Sequence, residues 1–363
     1  MLDESYIQIA IELAKKGKGR VSPKPLAGSL LVKNDKIIGA SYRNSPDELS
    51  PEIIAIKGAK ESSEGSTLYT NLEPCSTSAK DFSCLDQIIQ AKIKRIVIGS
   101  VNPSSTFGGS SIKKLKKAGI EVLTGILERD CYELNRFYFK HSNSSLPYVT
   151  LKMATTIDGR IADNSGNSRW ITSVESRSLS HQLRSEYDAV LVGHNTVKID
   201  KPQLTVRLVE GRNPKRIILD TKLRTNPKDD LIQKNYDKNL IIVTSKENKS
   251  RKKIISKLEE CGVELIFIPS NKKKELDLFY LLKKLGELNI ASLLVEGGGK
   301  VFSNFINNKL EDEVLIFIGP QILGKGYSLT NGINVRSLSK AVKFQIKEYD
   351  KVGEDLLIRL VRR

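Results

Sequence analysis

The sequence predicts an α/β fold class, with two α/β domains in tandem. Three observations carry this. At 363 residues the chain exceeds the roughly 250–300 residues that one core serves. Over the first 140 or so residues, helical and strand patterns alternate. Beyond a polar, proline-ended stretch, His141-Ser142-Asn143-Ser144-Ser145-Leu146-Pro147, near-continuous apolar runs recur between helical segments, as in a mainly parallel sheet covered on both faces. That stretch is the expected linker, with domains at 1–143 and 148–363.

The elements follow in order. Tyr6, Ile9, Ala10, Leu13 and Ala14 share one face of a first helix. Residues 29–32 and 37–41 read as a hairpin around Asn34-Asp35. A helix over 50–60, a strand over 67–71, a helix over 84–91 and a strand over 95–100 come next, then a helix over 112–118 and a strand over 121–124. This alternation predicts a sheet covered by helices. In the second half the apolar runs are 148–153, 189–193, 216–220, 240–244, 264–268, 292–296 and 314–319, with helices over 174–187 and 276–288 among them. Residues 344–349 and 355–360 around Lys351-Val352-Gly353 read as a closing hairpin.

Composition narrows the function classes. No apolar run reaches the ~18 residues a membrane span needs, and the start, Met1-Leu2-Asp3-Glu4-Ser5, lacks the basic and apolar regions of a secretory signal, so a cytoplasmic protein is expected. Cysteines at 75, 84, 131 and 261 are too scattered for a disulfide framework, and Cys131 and Cys261 read as helix filler. The net charge of +17 raises a rival from another class, a basic nucleic-acid-binding protein. The basic clusters at 113–117, 251–257 and 272–274 carry no interleaved aromatic residues, so solvated faces are the preferred reading. Phosphorylated small molecules are then the anions such a surface attracts, with no nucleic-acid or membrane partner.

Two constellations carry chemistry. In the first, Leu72-Glu73-Pro74-Cys75 precedes Cys84, and Ser50-Pro51-Glu52 lies upstream. Two cysteines and a glutamate in this order are the skeleton of a nucleobase-deaminase zinc site, in which a His or Cys ligand stands two residues before the glutamate. Here that position is Ser50, and no histidine precedes His141. Glu52 is the candidate proton shuttle; Cys75 and Cys84 are the candidate ligands. A neutral hydroxyl donates weakly to zinc, so the site is not expected to hold the metal at full affinity. Asp47 or Glu48 as a substitute donor leaves the bifunctional reading open. Ser50-Pro51-Glu52 also reads as an ordinary helix start, with Ser50 as N-cap.

In the second constellation, Lys152-Met153-Ala154-Thr155-Thr156-Ile157-Asp158-Gly159-Arg160 follows a strand. Ser168-Arg169-Trp170-Ile171-Thr172, Leu183-Arg184, Asn195-Thr196, the run from Asp200 to Arg207 and Val295-Glu296-Gly297-Gly298-Gly299-Lys300 come after it. A glycine triplet between strand and helix lets backbone approach a ligand, with the helix N-terminus facing an anion. Arg184 and Arg207 are candidates for gripping a phosphate. Lys152 is the candidate for polarising or protonating a carbonyl oxygen, with a salt bridge to Asp200 or Glu296 as its structural alternative. Trp170, the only tryptophan, reads as a cofactor wall or as core.

Over nearly its whole length the chain resembles the bifunctional riboflavin-biosynthesis deaminase–reductase family, on these motifs and on Ser22-Pro23-Lys24-Pro25, Ala27-Gly28-Ser29 and Asn102-Pro103 with Gly108-Gly109. The resemblance implies a cytidine-deaminase-like three-layer α/β/α domain followed by a dihydrofolate-reductase-like α/β domain, in a homo-oligomer. It implies NADPH, with Gly298, Gly299, Lys300, Val301, Phe302, Ser303 and Asn304 around the pyrophosphate and neighbouring parts. Ala154, Trp170, Thr196, Asp200 and Thr221 line the rest. Ser168, Arg184, Leu204, Arg207 and Glu296 are the implied contacts to a phosphorylated aminopyrimidine substrate, whose ribosyl group is reduced to a ribityl chain. The departures cluster in the first domain: Ser50-Pro51-Glu52 for His-Ala-Glu, Lys24 inside Pro-Asn-Pro, Thr77 for the histidine of Pro-Cys-Ser-His, and residues 79–84 for a Gly-Arg-Thr-Pro-Pro-Cys run. The expectation is a reductase fused to an impaired deaminase-like domain.

Overall fold

The structure, a computed structural model, describes residues 2–74, 84–102, 108–271, 274–333 and 335–363. Cys75, Thr77, residues 79–83, Pro103 and residues 272–273 therefore lie outside the described residues. The chain divides into two compact units, Met1–Ser145 and Leu146–Arg363.

The first unit runs α1 (Asp3–Lys15), β1 (Gly28–Lys33), β2 (Lys36–Tyr42), α2 (Pro51–Ala59), β3 (Thr67–Leu72), α3 (Cys84–Gln90), β4 (Arg95–Ser100), α4 (Ser110–Lys117), β5 (Glu121–Thr124), α5 (Glu128–Leu134) and α6 (Arg136–Ser144). Among the described residues its sheet has the order β2-β1-β3-β4-β5. The β1–β2 hairpin closes on Asn34 and Asp35, both left-handed at φ 51 and 57, as a tight two-residue turn requires. Strand alternation sorts the core into two layers. Leu30, Val32, Tyr69 and Val97 meet α1 and Cys131 of α5. Leu31, Leu68, Ile96 and Ile98 meet α2, α3 and α4 on the other face. This is the three-layer arrangement. Burial pushes the Cys131 thiol up to about 12, in keeping with a core side chain.

One expectation needs correction. The polar stretch read as a linker is helical through Ser144. Phe139 is buried and anchors α6, Ser144 Oγ donates to the Lys140 carbonyl, and left-handed Ser145 ends the helix. Composition suggested a loop because this last turn is solvent-facing; the packed aromatic one turn earlier decides for helix.

The second unit runs β6 (Tyr148–Thr156), β7 (Arg160–Ala162), α7 (Val174–Glu186), β8 (Ala189–Gly193), α8 (His194–Asp200), β9 (Lys215–Leu219), α9 (Asp230–Gln233), β10 (Leu240–Ser245), α10 (Lys252–Glu260), β11 (Glu264–Ile268), α11 (Leu278–Glu287), β12 (Ser292–Glu296), α12 (Gly299–Asn307), β13 (Glu313–Gly319), β14 (Tyr327–Ser328), β15 (Phe344–Val352) and β16 (Asp355–Arg362). Among the described residues the main sheet has the order β11-β10-β9-β8-β12-β6-β13-β16-β15. It is parallel from β11 through β13, and the β15–β16 hairpin closes it antiparallel. Val149, Leu151, Leu191 and Leu293 pack beneath α11 and α12. Val190, Val192, Ile218 and Ile242 pack with Val197 of α8, Leu231 of α9 and Leu258 of α10 on the opposite face. The central strands are buried on both faces, which is why they read as unbroken apolar runs. Because they are parallel, their C-terminal ends share one edge, the usual position for a ligand crevice in such a sheet.

Candidate functional site

In the first unit, Ser50 stands at the N-cap of α2, and its carbonyl accepts from the Ile53 and Ile54 amides. Its side chain makes no cap hydrogen bond. Ser50 Oγ instead lies 3.0 Å from Cys84 Sγ at the start of α3. The expected side-chain N-cap is thus replaced by a contact across the sheet end. Glu52, 3% exposed, lies beside them: its Oε1 is 3.1 Å from Thr70 Oγ1 and its Oε2 4.0 Å from Cys84 Sγ. Ser50, Glu52 and Cys84 are therefore together, and Cys75 lies outside the described residues. Glu48, offered as a substitute donor, turns its carboxylate to the Asn44 amide at 2.9 Å on the exposed side of its own loop. Among the described residues no group of three His, Cys, Asp or Glu side chains is arranged to hold a metal.

Among the described residues, Ser50 and Cys84 are not spaced as two ligands of one zinc. A hydroxyl oxygen and a thiolate sharing one tetrahedral zinc stand roughly 3.5 Å apart, as follows from bond lengths near 2.0 and 2.3 Å. Ser50 and Cys84 are at hydrogen-bond distance from each other, and the hydroxyl is a neutral, weak donor.

In the second unit the chemistry gathers at the C-terminal edge of the parallel sheet. Lys152 on β6 and Glu296 on β12 are register partners. Ser173 caps α7, the helix that carries Arg184. Arg184 donates from Nε and Nη2 to the two Glu296 oxygens, each at 2.8 Å, in a bidentate pair almost out of water. Glu296 occupies two of the five N–H donors of Arg184, and Nη1 reaches the Thr205 carbonyl at 3.4 Å. Burial raises the Glu296 pKa, but Arg184 and then Lys152 outweigh it and hold the carboxyl at about 2. Burial pushes the Lys152 amine below the ordinary lysine value, with Glu296 pulling the other way. The expected Lys152 salt bridge is not formed among the described residues; its Nζ sits 5.1 Å from the centre of the Phe317 ring.

Arg207 lies in the loop after left-handed, buried Leu204. Its Nη1 donates to Thr205 Oγ1 at 2.7 Å, and burial followed by the Arg184 charge lowers its pKa. The same loop is pinned by Val206 N donating to Asn213 Oδ1 at 2.8 Å and Arg207 N donating to His181 Nδ1 at 2.9 Å. His181 was not among the expected residues. It stands three positions before Arg184 on α7, the one local signal that could have found it.

The expected cofactor residues separate into groups. Gly297 is left-handed at φ 94, and a Cβ there would lie 2.8 Å from Thr196 Oγ1, which itself accepts from the Gly298 amide at 3.2 Å. A Cβ on Gly299 would meet the Ser328 and Leu329 carbonyls at 2.7 and 2.9 Å. These two glycines are thus required by the chain's own packing. Phe302 and Ser303 are buried. Lys300 Nζ lies 3.7 Å from Glu275, and Val301 packs over Gly193. Asn304 lies further along α12, its carbonyl accepting from Asn308. Asp200 accepts from Ser168, and its carbonyl accepts from Arg169 at 2.7 Å; burial raises its pKa. The Thr221 carbonyl accepts from Asn248 at 2.8 Å. Ala154 is on β6, opposite Phe317. Trp170 is 64% exposed with the Arg177 guanidinium 4.2 Å above its ring, which excludes the core alternative.

Residues 147–358 match the RibD C-terminal domain family. The chain is 39% identical to the riboflavin biosynthesis protein RibD of Aquifex aeolicus over 358 residues, covering 98% of each. The chain belongs to the RibD family. Residues 1–100 match the cytidine and deoxycytidylate deaminase zinc-binding region. A second relative, RibD of Actinobacillus pleuropneumoniae, is 34% identical, covering 99% of this chain and 96% of that protein. Among solved structures, a diaminohydroxyphosphoribosylaminopyrimidine deaminase/5-amino-6-(5-phosphoribosylamino)uracil reductase from Thermotoga maritima matches at a TM-score of 0.87 and 36% identity, covering 99% of both chains. Acinetobacter baumannii RibD, form 1, matches at 0.89 and 29%, again covering 99% of both. The fold is thus that of RibD proteins, a deaminase-type unit followed by a reductase unit. Among the described residues no helix is long and apolar enough to cross a membrane.

Proposed function

We propose that this chain acts in riboflavin biosynthesis as an NADPH-dependent reductase that converts 5-amino-6-(5-phosphoribosylamino)uracil to its ribityl product. The observation that carries the reading is the Arg184–Glu296 pair with Lys152 in register beside it, at the sheet edge of a RibD reductase unit. The residues fit a dinucleotide: α12 opens at that same edge, and Thr196 ties down the loop before it. Gly298 to Asn304 would hold the pyrophosphate side, and Ala154, Trp170, Asp200 and Thr221 the remainder. When bound, the nicotinamide supplies the hydride. Glu296, held ionised, keeps Arg184 and the substrate side of the sheet edge fixed. Lys152 holds a proton over the sugar carbonyl oxygen and delivers it there as charge develops. Arg207, whose guanidinium is less committed than that of Arg184, holds the phosphate together with the surrounding positive field. Ser168 and Leu204 complete the substrate side.

The first unit keeps the deaminase fold with Ser50 where the family motif has a zinc ligand, and no step is derived through a metal there. Following NADPH oxidation with the aminouracil substrate tests the reductase reading; no oxidation would refute it.

A further inference from the structure

We propose that His181 is a positioning residue for the phosphate grip: by accepting the Arg207 amide at Nδ1, it fixes the loop that presents the Arg207 guanidinium to the substrate. The inference rests on the reductase reading and adds to it a residue that touches neither substrate nor cofactor.

Four observations support it. His181 is only 6% exposed, so its ring has one fixed setting. The Arg207 N–H donates to Nδ1 at 2.9 Å, which requires the proton of the neutral ring to sit on Nε2. The ring shares α7 with Arg184, one turn away, so the helix that locks Glu296 also locks the Arg207 loop. The loop has few other anchors: Asn213 holds the Val206 amide, and Arg184 reaches the Thr205 carbonyl. The charged groups around the ring are Arg184 on α7, Arg207 on the loop, Glu296 on β12 and Lys152 on β6. Burial, then Arg184 and Arg207, push the ring down to about 4, against a partial upward pull from Glu296. The neutral ring that the contact needs therefore persists through the physiological range. Protonation would remove the Nδ1 lone pair and add a positive charge beside Arg184 and Arg207. The Arg207 loop would be released as the substrate phosphate loses its aligned partner.

The test uses the full-length protein as H181L, which removes the acceptor at similar volume, and H181N, which restores an acceptor. NADPH oxidation is followed with the phosphorylated aminouracil substrate and with its dephosphorylated counterpart. The KM of H181L for the phosphorylated substrate should rise roughly tenfold, the scale of one misaligned bond to a charged group, with kcat within about twofold. H181N should recover most of the loss, and the dephosphorylated substrate should not distinguish the three proteins. An unchanged KM in H181L, or equal losses on both substrates, overturns the proposal. If wild type oxidises no NADPH with either substrate, the reductase reading itself falls. If H181L does not fold, the nitrogen-15 spectrum of histidine-labelled wild type decides, its three rings assigned by the signal missing from H181N. A neutral ring protonated at Nε2 between about pH 8 and 5 supports the role; titration near the ordinary histidine value of ~6.5 overturns it.

Discussion

Ser50 shows how a single residue redirects a site. Its sequence position predicted both the loss of a ligand and a helix cap. The loss is visible from the triplet alone. The contact that replaces the cap is not, because its partner Cys84 is 34 residues away and meets it only once α2 and α3 lie at the same sheet end. S50H should raise zinc affinity at least roughly tenfold, read by metal analysis after dialysis, because imidazole supplies a competent third donor. Unchanged zinc content would mean that the other departures around the pocket are sufficient to exclude the metal. Lys152 is the matching residue on the other unit. K152Q should lower kcat by about 10²–10⁴-fold while leaving the KM for NADPH nearly unchanged. The pH dependence follows from the direction of the shift. The protonated amine is the active form, and burial lowers its pKa. The kcat of wild type should therefore fall on the alkaline side before the ordinary lysine value of ~10.4, and K152Q should lack that limb. A kcat profile flat to that value would contradict the proton-donor role.

At the scale of elements, apolar runs located the strands well, most of them being central and apolar on both faces, which leaves little ambiguity about type. Residues 189–193, 264–268 and 292–296 are strands with those same bounds. What periodicity could not supply was the pairing between elements. Arg184 and Glu296 are 112 positions apart, and their bond forms only once the fold brings the two side chains together. Likewise α6 looked like linker, since its polar last turn hides the anchoring Phe139. The glycines before and within α12 looked like ligand-binding backbone, yet Gly299 is also required by the β14 segment. G299A brings a methyl onto the Ser328 and Leu329 carbonyls and should destabilise the unit by about 1–3 kcal/mol in urea unfolding, with a raised KM for NADPH as α12 shifts. Wild-type stability in G299A would show that the β14 segment gives way without cost.

At the scale of the molecule, two compact units with separate cores divide the chain between Ser145 and Leu146. The second has its own buried layers on both faces of its sheet, and the residues assigned to reduction all lie within it. Residues 146–363 expressed alone should fold cooperatively and oxidise NADPH with the aminouracil substrate at a kcat within a few-fold of the full chain. A fragment that folds without activity would give the first unit an essential role in the reductase site. The whole fold was legible because two motif sets recur in family order along the chain. The state of the first site was legible only in part: the altered donor at Ser50 is plain in the sequence, whereas its contact with Cys84 joins residues 34 positions apart.

The most direct measurement supplies full-length protein, in zinc-containing buffer, with the deaminated and the undeaminated pyrimidine separately, recording NADPH oxidation and ammonia release together. NADPH oxidation with the deaminated substrate, and neither signal with the undeaminated one, is the predicted result. Ammonia released from the undeaminated substrate, with zinc bound near one per chain, would contradict it.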